Sequence, residues 1–330
     1  MAKKKKKKGG SASRRLPEVF LERLERIVGR SNMEQVCKTF VEKPTTFRVN
    51  TIKTTVQQVL STLQEQGITI KRVPWYSDAF VLTNKSQKEL SSLDVYAEGK
   101  IYLQSLASMA PPFILDPQPG EKVLDLTAAP GSKTSQMAAM MNKKGELVAN
   151  DIHPIRGQRL AHNMHALGVD EEADDWNFTL HNIDGEVLVE TYENYFDKVL
   201  VDAPCSGESR FIAGSARTYR FWNEEYVRKM AFEQSKLLMA GWKALKPGGT
   251  LVYSTCTMSP EENERRIDKF LLHAKDAKII PCSIKGQKML PPVVKWEETP
   301  YTNEVKKTLR IFPTDQMEGF YVAKITKLVT

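Results

Sequence analysis

Two cysteines follow apolar, β-branched stretches of the sequence. Cys205 lies just beyond the run KVLVDAP, and Cys256 follows the run GTLVYST. If these runs are neighbouring parallel strands, about 4.8 Å apart, both thiols reach the same edge of a sheet. A thiolate in polar, partly exposed surroundings is a nucleophile, so the pair predicts nucleophilic catalysis. Burial as two structural cysteines stays open as the alternative, because free cysteine is among the most buried residue types.

A disulfide or a metal site fits these cysteines less well. No apolar segment follows the basic N-terminus, so we predict a cytoplasmic protein whose thiols stay reduced. Neither Cys205 nor Cys256 belongs to a C-x-x-C motif or has a histidine close in sequence, so no metal is expected. A zinc site built from distant residues stays open. His162 and His165 lie one turn apart on a predicted helix and are interpreted as a solvated face.

The segment DLTAAPGSKT, residues 125–134, follows a predicted strand and suits a ligand that approaches the backbone closely. Ala128, Ala129 and Gly131 have small side chains or none. Asp151 ends the next strand, 20 residues after Gly131, where an acid commonly binds ribose hydroxyls. The segment matches neither the phosphate-binding loop nor G-x-G-x-x-G. We therefore predict a nucleoside-containing cofactor, with a tight structural turn as the alternative.

Asp184 and Asp202 end the two following strands, on the same edge as Asp151. If the nucleoside-containing cofactor is a methyl donor, few reactions are available to a thiolate nucleophile beside it. Carbon 5 of cytosine or uracil is a poor nucleophile, but a thiolate that adds to carbon 6 enables carbon 5 to take an electrophilic methyl group. The carbon 5 proton then leaves and the thiol is expelled, which a second thiol assists as acid or base. Asp202 is a candidate to bind the polar edge of the pyrimidine and favour protonation at nitrogen 3.

The alternation of strand and helix patterns after residue 105 predicts the architecture that positions these residues. It favours an α/β fold with a doubly wound, mostly parallel sheet. Residues 16–105 predict a smaller N-terminal α/β domain. After Cys256, the sequence SPEENE predicts a helix with Ser259 as N-cap and Glu262 completing a capping box.

The net charge is concentrated at the N-terminus. The 330 residues carry a net charge of +8, and 41% of them are hydrophobic, enough for a sizeable core. Residues 3–8 with Arg14 and Arg15 are all basic and account for this excess. Residues 1–15 therefore predict a disordered basic arm, either attracted to nucleic-acid phosphates or serving solubility. No apolar stretch reaches the roughly 20 residues that a membrane span needs.

Several motifs resemble the RNA cytosine-5 methyltransferases of the Nop/Sun type, which use S-adenosylmethionine. The combination of DAPCSGE with STCTxxPEENE is highly specific. The matching strings cover nearly everything from Thr45 to the end: TFRVNTIK, YLQSLASMAPPFILDPQPGEKVLDLTAAPGSKT, ANDIHPIRGQRLAHNMHALG, KVLVDAPCSGES, LKPGGTLVYSTCTMSPEENE and RIFPTDQMEGFYVAKI. The resemblance implies a Rossmann-like methyltransferase domain over residues 106–330, an RNA-binding role for residues 16–105, and a monomer whose partner is RNA.

The resemblance also implies roles for single residues. Cys256 adds to carbon 6, and Cys205 assists release of the methylated RNA. Asp202 lies between cofactor and target base, and Lys133 supports the catalytic edge. Asp151 holds the cofactor's ribose and Asp184 faces its adenine. The residues implied to bind S-adenosylmethionine are Thr127, Ala128, Ala129, Pro130, Gly131, Ser132, Lys133, Asp151, Arg156, Asp184 and Asp202.

The implied reaction is methylation of carbon 5 of a cytosine in RNA through a covalent adduct between Cys256 and carbon 6. Ribosomal RNA is the expected substrate, with transfer RNA as the alternative. Two other functions stay open. One is methylation of an exocyclic amine, which favours an Asn/Asp-Pro-Pro-Tyr/Phe edge rather than Asp-Ala-Pro-Cys. The other is a non-catalytic RNA-binding assembly factor, which would tolerate loss of Cys256.

The loop formed by residues 210–222 departs from the family pattern, and we predict that it touches RNA. Ser209, just before it, stands where the family usually has glycine. Unpaired bases stack on aromatic rings and phosphates bind cations. The candidates for such contacts, with packing as the alternative, are Trp75, Tyr76, Tyr219, Arg220, Phe221 and Trp222.

Overall fold

The structure is a computed structural model that describes residues 16–329. The predicted basic arm, residues 1–15, lies outside the described residues. Within residues 16–329 no helix is both long and apolar enough to cross a membrane.

The N-terminal part combines helices with a small antiparallel sheet. Helix α1 (Glu18–Val28) buries Phe20 and Leu24 on one face and ends at Gly29, whose φ of 78° lies in the region that favours glycine. The other helices of this part are α2 (Arg30–Cys37), α3 (Val56–Glu65), α4 (Gln87–Ser91) and α5 (Asp94–Ala97). The strands are β1 (Thr46–Val49), β2 (Ile70–Arg72), β3 (Ala79–Leu82) and β4 (Ile101–Leu103), arranged in the order β2-β3-β1-β4.

A large sheet forms the centre of the remaining chain. Its parallel strands are β5 (Lys122–Asp125), β6 (Gly145–Asn150), β7 (Trp176–His181), β8 (Phe196–Asp202) and β9 (Leu245–Thr255). The antiparallel strands are β10 (Ala277–Ile280), β11 (Met289–Leu290), β14 (Leu309–Ile311) and β15 (Phe320–Lys327). The order is β11-β14-β15-β9-β8-β5-β6-β7, with β10 also paired to β15. The predicted doubly wound, mostly parallel sheet with a smaller N-terminal α/β part is confirmed.

The helices of this part connect the strands. They are α6 (Leu106–Leu115), α7 (Ser132–Met140), α8 (Pro154–Ala166), α9 (Gly185–Thr191), α10 (Glu224–Ala244) and α11 (Glu264–His273), and the short strands β12 (Lys295–Trp296) and β13 (Thr299–Pro300) form a separate ribbon. The strand order reverses between β5 and β8, and ligands of such sheets bind at the carboxyl ends of the strands beside that point.

The middle segments of β5 and β8 are apolar because both faces of the sheet are buried there. On β5, Val123 packs into one hydrophobic cluster and Leu124 into another. On β8, Leu200 belongs to the first cluster, and Val199 and Val201 belong to the second. Successive side chains of a strand point to opposite faces, so two cores hold the sheet rigid behind its carboxyl edge.

Helix α6 contains Pro111 and Pro112, and its apolar side chains are almost all buried. The structure corrects one local prediction. The predicted capping box at Ser259 is wrong, since α11 begins at Glu264. Ser259 instead donates its hydroxyl to the buried carboxylate of Glu208 at 2.7 Å.

Candidate active site

The loops that follow β8 and β9 bring Cys205 and Cys256 into contact. The two strands are parallel neighbours, with Asp202 opposite Ser254, so the loops leave the same edge of the sheet. The sulfur atoms lie 3.0 Å apart, and the backbone N–H of Cys256 donates to Sγ of Cys205 at 3.3 Å. Both cysteines are partly buried.

The surroundings shift the pKa values of the two thiols in opposite directions. The hydrogen bond from Cys205 lowers the pKa of Cys256, and the positive charges of Arg210 and Lys133 lower it further, against the opposing effect of burial. The hydrogen bond with Cys256, burial, and the carboxylate of Glu262 raise the pKa of Cys205 well above its ordinary value. Cys256 is therefore the more easily ionised of the two thiols, which favours it as the nucleophile.

Asp202, at the end of β8, is paired with Lys133 beside the cysteines. Its Oδ2 lies 2.7 Å from Nζ of Lys133, which also donates to the hydroxyl of Ser108 at 2.8 Å. Its Oδ1 accepts a hydrogen bond of 2.7 Å from the hydroxyl of Ser254. The side chains of Lys133 and Asp202 are 10% and 26% exposed, so the carboxylate is held in place but faces the pocket.

The loop between β5 and α7 is tied to Asp151 at the end of β6. The carboxylate of Asp151 accepts from the N–H of Ala129 at 3.3 Å and from the N–H of His153 at 3.1 Å. Arg156 bridges the two segments, because it lies 3.2 Å from Asp151 and donates to the carbonyl of Ala129 at 2.7 Å. These contacts fix the loop backbone against the strand edge where Asp151 lies.

Position 131, on the same loop, can be occupied only by glycine without strain. Its φ is 102°, and an added Cβ would lie 2.5 Å from Cε of Met164 and 2.9 Å from Cδ1 of Leu160. Gly131 packs on α8 and starts α7. It does not line the pocket as the neighbouring predicted residues do.

One cavity of about 860 Å³ collects nearly all the predicted residues. Its lining includes the two cysteines and Asp184, an exposed residue that caps α9 by accepting from the N–H of Glu186 at 2.8 Å. The predicted residues that line this cavity are Thr127, Ala128, Ala129, Pro130, Ser132, Lys133, Asp151, Arg156, Asp184, Asp202, Cys205 and Cys256.

Several residues that line this cavity were not predicted from the sequence. Asp125 ends β5 and is buried, and burial raises the pKa of its carboxyl to about 7 although Thr134 donates to it at 2.7 Å. The reasoning that selected the other strand-end acids would have found it. Tyr226 and Lys229 line the cavity from α10, and Arg210 from the loop after Cys205. Their contribution depends on the packing of segments distant in sequence.

A buried polar network supports both cysteine loops from behind. The carboxyl of Glu262 accepts from the N–H and the hydroxyl of Ser206, at 2.9 and 2.5 Å, and from the amide of Gln234 at 2.8 Å. The Ser206 hydroxyl lies 2.8 Å from that of Thr257, which donates to Glu208 at 2.9 Å. Burial and the nearby carboxylate of Glu208 raise the pKa of Glu262 to about 8.

Some of the sequence candidates for RNA contact lie in the core. Trp75 and Tyr76 are 6% and 8% exposed and pack against Phe113, so they are not surface stacking groups. Trp222 donates its indole N–H to Glu208 at 2.9 Å, whereas Phe221 is 73% exposed. Within residues 16–329 no group of three or more His, Cys, Asp or Glu side chains is arranged to hold a metal.

Two family models match the chain. The model of 16S rRNA methyltransferase RsmB/F matches residues 112–326, and that of the N-terminal domain of 16S rRNA methyltransferase RsmF matches residues 16–106. The chain belongs to the RsmB/F methyltransferase family. The predicted resemblance to RNA cytosine-5 methyltransferases is thereby confirmed.

Individual members of the RsmB/F family and related structures extend this similarity. A tRNA (cytosine(49)-C(5))-methyltransferase from Pyrococcus abyssi is 38% identical over 281 residues, which is 85% of this chain and 87% of the relative. Ribosomal RNA small subunit methyltransferase F from Vibrio vulnificus is 36% identical over 323 residues, which is 96% of this chain but 65% of the relative. The crystal structure of a methyltransferase homolog protein from Pyrococcus horikoshii shares 33% identity with a TM-score of 0.77, covering 95% of this chain and 100% of that one.

Proposed function

We propose that this protein transfers a methyl group from S-adenosylmethionine to carbon 5 of a cytosine in RNA, through a covalent adduct between Cys256 and carbon 6. The observation that carries the proposal is the pair of contacting sulfur atoms beside the Asp202–Lys133 ion pair, in a cavity also lined by the loop tied to Asp151. RNA cytosine-5 methylation is also the activity named for the tRNA relative.

The residues of the cavity fit S-adenosylmethionine. Small side chains at Ala128 and Ala129 leave the loop backbone open to a ligand, and the volume of about 860 Å³ is ample for a nucleoside cofactor together with a base. Asp151 would hold the ribose and Asp184 would face the adenine, while residues 127–130, Ser132 and Lys133 would line the methionine portion. When bound, the cofactor supplies an electrophilic methyl group on a sulfonium sulfur.

The protein's own residues would act on the base in sequence. The Cys256 thiolate forms a bond to carbon 6, which places electron density on carbon 5. Asp202, held by Lys133 and Ser254, binds the polar edge of the ring and stabilises the proton at nitrogen 3. After carbon 5 gains the methyl group, Cys205 donates its proton to the departing sulfur of Cys256 and accepts the carbon 5 proton in its place. The bond from sulfur to carbon 6 breaks, and the double bond between carbons 5 and 6 returns.

A base inside a helix cannot present carbon 6 to a thiolate, so the target cytosine must be unpaired or flipped out. We propose ribosomal RNA as the substrate, acted on by a monomer in the cytoplasm. Transfer RNA is the second candidate, because cytosine-5 methylation of tRNA is the activity named for the 38% identical relative from Pyrococcus abyssi.

The adduct can be tested with two cysteine variants. Cys205→Ala is expected to leave attack intact and stall release, so that a protein–RNA adduct accumulates and survives SDS. Cys256→Ala is expected to abolish both methylation and the adduct. Cys282→Ala, which removes a partly buried free thiol outside the cavity, is the matched control and is expected to behave as wild type.

Other outcomes discriminate among the alternatives. If the adduct accumulates with Cys256→Ala and is lost with Cys205→Ala, then Cys205 is the nucleophile and Cys256 assists release. Radiolabelled methyl on an exocyclic amine would indicate the amine-methylating alternative, and RNA binding that persists without any methyl transfer would indicate an assembly factor. Bisulfite sequencing of total RNA with and without the gene identifies the modified cytosine.

A further inference from the structure

A second cavity of about 570 Å³ adjoins the cysteine cavity. One wall belongs to the N-terminal part, residues 41–46 and 103–105, and the other is residues 209–212, which follow the Cys205 loop, together with Glu318. The two cavities share a boundary, formed by the four residues that line both: Leu103, Gln104, Ser105 and Arg210. A chain molecule with one unit in the cysteine cavity could therefore extend its next unit into the second.

Arg210 is the cation at this boundary. Its side chain is exposed and makes no hydrogen bond or ion pair with any of residues 16–329. The negative charges around it, first that of Cys256 and then those of Cys205, Glu318 and Asp202, raise its pKa. An arginine left without a partner beside a reactive pocket is suited to a planar anion such as a phosphodiester.

The other cation of the second cavity is already engaged. Lys43 donates to the carbonyls of Thr39 and Thr314, at 2.5 and 2.6 Å. Among the described residues that line this cavity, Arg210 is thus the cation available for a phosphate.

Two polar groups on the walls also lack partners. The hydroxyl of Ser209, a residue only 7% exposed, and Oε2 of Glu318 are buried and make no hydrogen bond within residues 16–329. Buried polar groups are nearly always paired, so their presence beside Arg210 points to a polar ligand. Glu318, an acceptor, suits a donor on a nucleoside, such as a ribose hydroxyl or an exocyclic amine.

We propose that the second cavity binds the nucleotide next to the target cytosine, and that Arg210 holds the phosphate that joins the two nucleotides. The inference rests on the proposed function, since it places the target base in the cysteine cavity. It assigns the nucleotide its contacts: phosphate to the Arg210 guanidinium, and nucleoside to the wall that carries Ser209 and Glu318. Arg210 is then both a substrate ligand and the charge that favours the Cys256 thiolate.

The test measures RNA binding without chemistry. In a Cys256→Ser background, fluorescence anisotropy follows a fluorescein-labelled, single-stranded, random-sequence RNA of twelve nucleotides at several NaCl concentrations. Loss of one phosphate contact is expected to reduce the slope of log Kd against log salt by about 0.7. Arg210→Ala should show this reduction and bind about tenfold more weakly. Arg210→Lys keeps the charge and should keep the slope, with a smaller loss of affinity.

Arg30→Ala is the matched control, because Arg30 is exposed and lies outside both cavities. It should bind as the background protein does. If Arg210→Ala leaves Kd and slope unchanged, or if Arg30→Ala reduces them equally, the inference is overturned and the proposed function stands. If the background protein itself fails to bind RNA, the proposed function falls, and the inference with it.

Discussion

The backbone N–H of Cys256 donates to the sulfur of Cys205, and the two sulfur atoms lie 3.0 Å apart. The contact is made by two loops that leave neighbouring parallel strands, so it is supported by the hydrogen-bonded ladder of β8 and β9. A thiol that accepts from a backbone amide is fixed in orientation. The same hydrogen bond lowers the pKa of Cys256 and raises that of Cys205, so the contact favours ionisation of Cys256 over that of Cys205.

The proximity of the sulfur atoms predicts a specific oxidation product. Diamide, a diazene oxidant, is expected to take two electrons and two protons from the cysteines and form a disulfide between Cys205 and Cys256. Methyl transfer should be lost and then recovered with dithiothreitol. Peptide mass spectrometry checks the cross-link, and Cys37→Ala should leave it unaffected. Cross-linking to Cys282 instead would contradict the geometry.

The Asp202–Lys133 pair predicts strongly coupled losses of activity. Asp202→Asn weakens the contact with the protonated base, and Lys133→Met leaves Asp202 without its cation. Each change is expected to reduce kcat by about a hundredfold, as loss of a preorganised charge does. The double variant should lose much less than the product of the two, because the residues act as a unit.

Steady-state kinetics of the four proteins in this cycle measure the coupling. Lys144→Met, which removes an exposed lysine elsewhere, is the control and should retain full activity. Simple additivity of the two losses would show that Asp202 and Lys133 act independently.

The carboxyl of Glu262 predicts a pH dependence of stability. Its pKa is about 8 in the folded protein against an ordinary 4.5, so the folded state holds a proton that the unfolded chain releases between these values. The stabilisation is fully present below pH 4.5 and is lost as pH rises towards 8, with a slope of up to about 1.4 kcal/mol per pH unit. Glu262→Gln, neutral at every pH, should flatten this part of the stability curve.

Urea unfolding at pH 5, 6, 7 and 8 provides the measurement. The free energy of unfolding of Glu262→Gln, measured relative to that of wild type, should be higher at pH 8 than at pH 5. Glu65→Gln, at an exposed position, should leave the curve parallel to that of wild type. A Glu262→Gln curve that is also parallel would mean that this carboxyl is ionised throughout.

A buried ion pair joins the start of α11 to β14. Arg310 contacts both carboxylate oxygens of Glu264, at 2.5 and 2.6 Å, and their side chains are 3% and 0% exposed. Arg310→Met leaves Glu264 buried without its partner and is expected to lower the free energy of unfolding by about 3–5 kcal/mol. Urea titration checks it. Lys38→Met, which breaks the exposed pair with Glu34, should leave the free energy of unfolding nearly unchanged. Equal losses of stability in Arg310→Met and Lys38→Met would contradict the expectation that the buried pair matters more than the exposed one.

Local sequence patterns predicted much of the architecture. The apolar runs before Cys205 and Cys256 predicted neighbouring strands, because a strand buried on both faces must be apolar at nearly every position. The pattern at Ser259 failed for an equally local reason. Its hydroxyl suits a helix cap and a buried carboxylate equally well, and only the packing of Glu208 against it decides between them.

The roles of residues that contact segments distant in the chain could not be predicted from the sequence. Arg210 follows Cys205 in an irregular loop, and only the folded chain shows that it faces a second cavity with one wall from residues 41–46. Because they are aromatic, Trp75 and Tyr76 were candidates to stack on RNA bases. In the folded protein they are buried and pack against Phe113 of α6.

The sequence by itself determined the order of strands and helices and the positions of the reactive side chains relative to strand ends, since these follow from hydrophobic periodicity and from the short range of backbone geometry. Only the tertiary structure decided that the two sulfur atoms touch, which of the two thiols has the lower pKa, and which charges surround them. Those properties depend on distances of a few ångström between groups as far apart in the chain as Lys133, Arg210 and Cys256, and no local pattern encodes such distances.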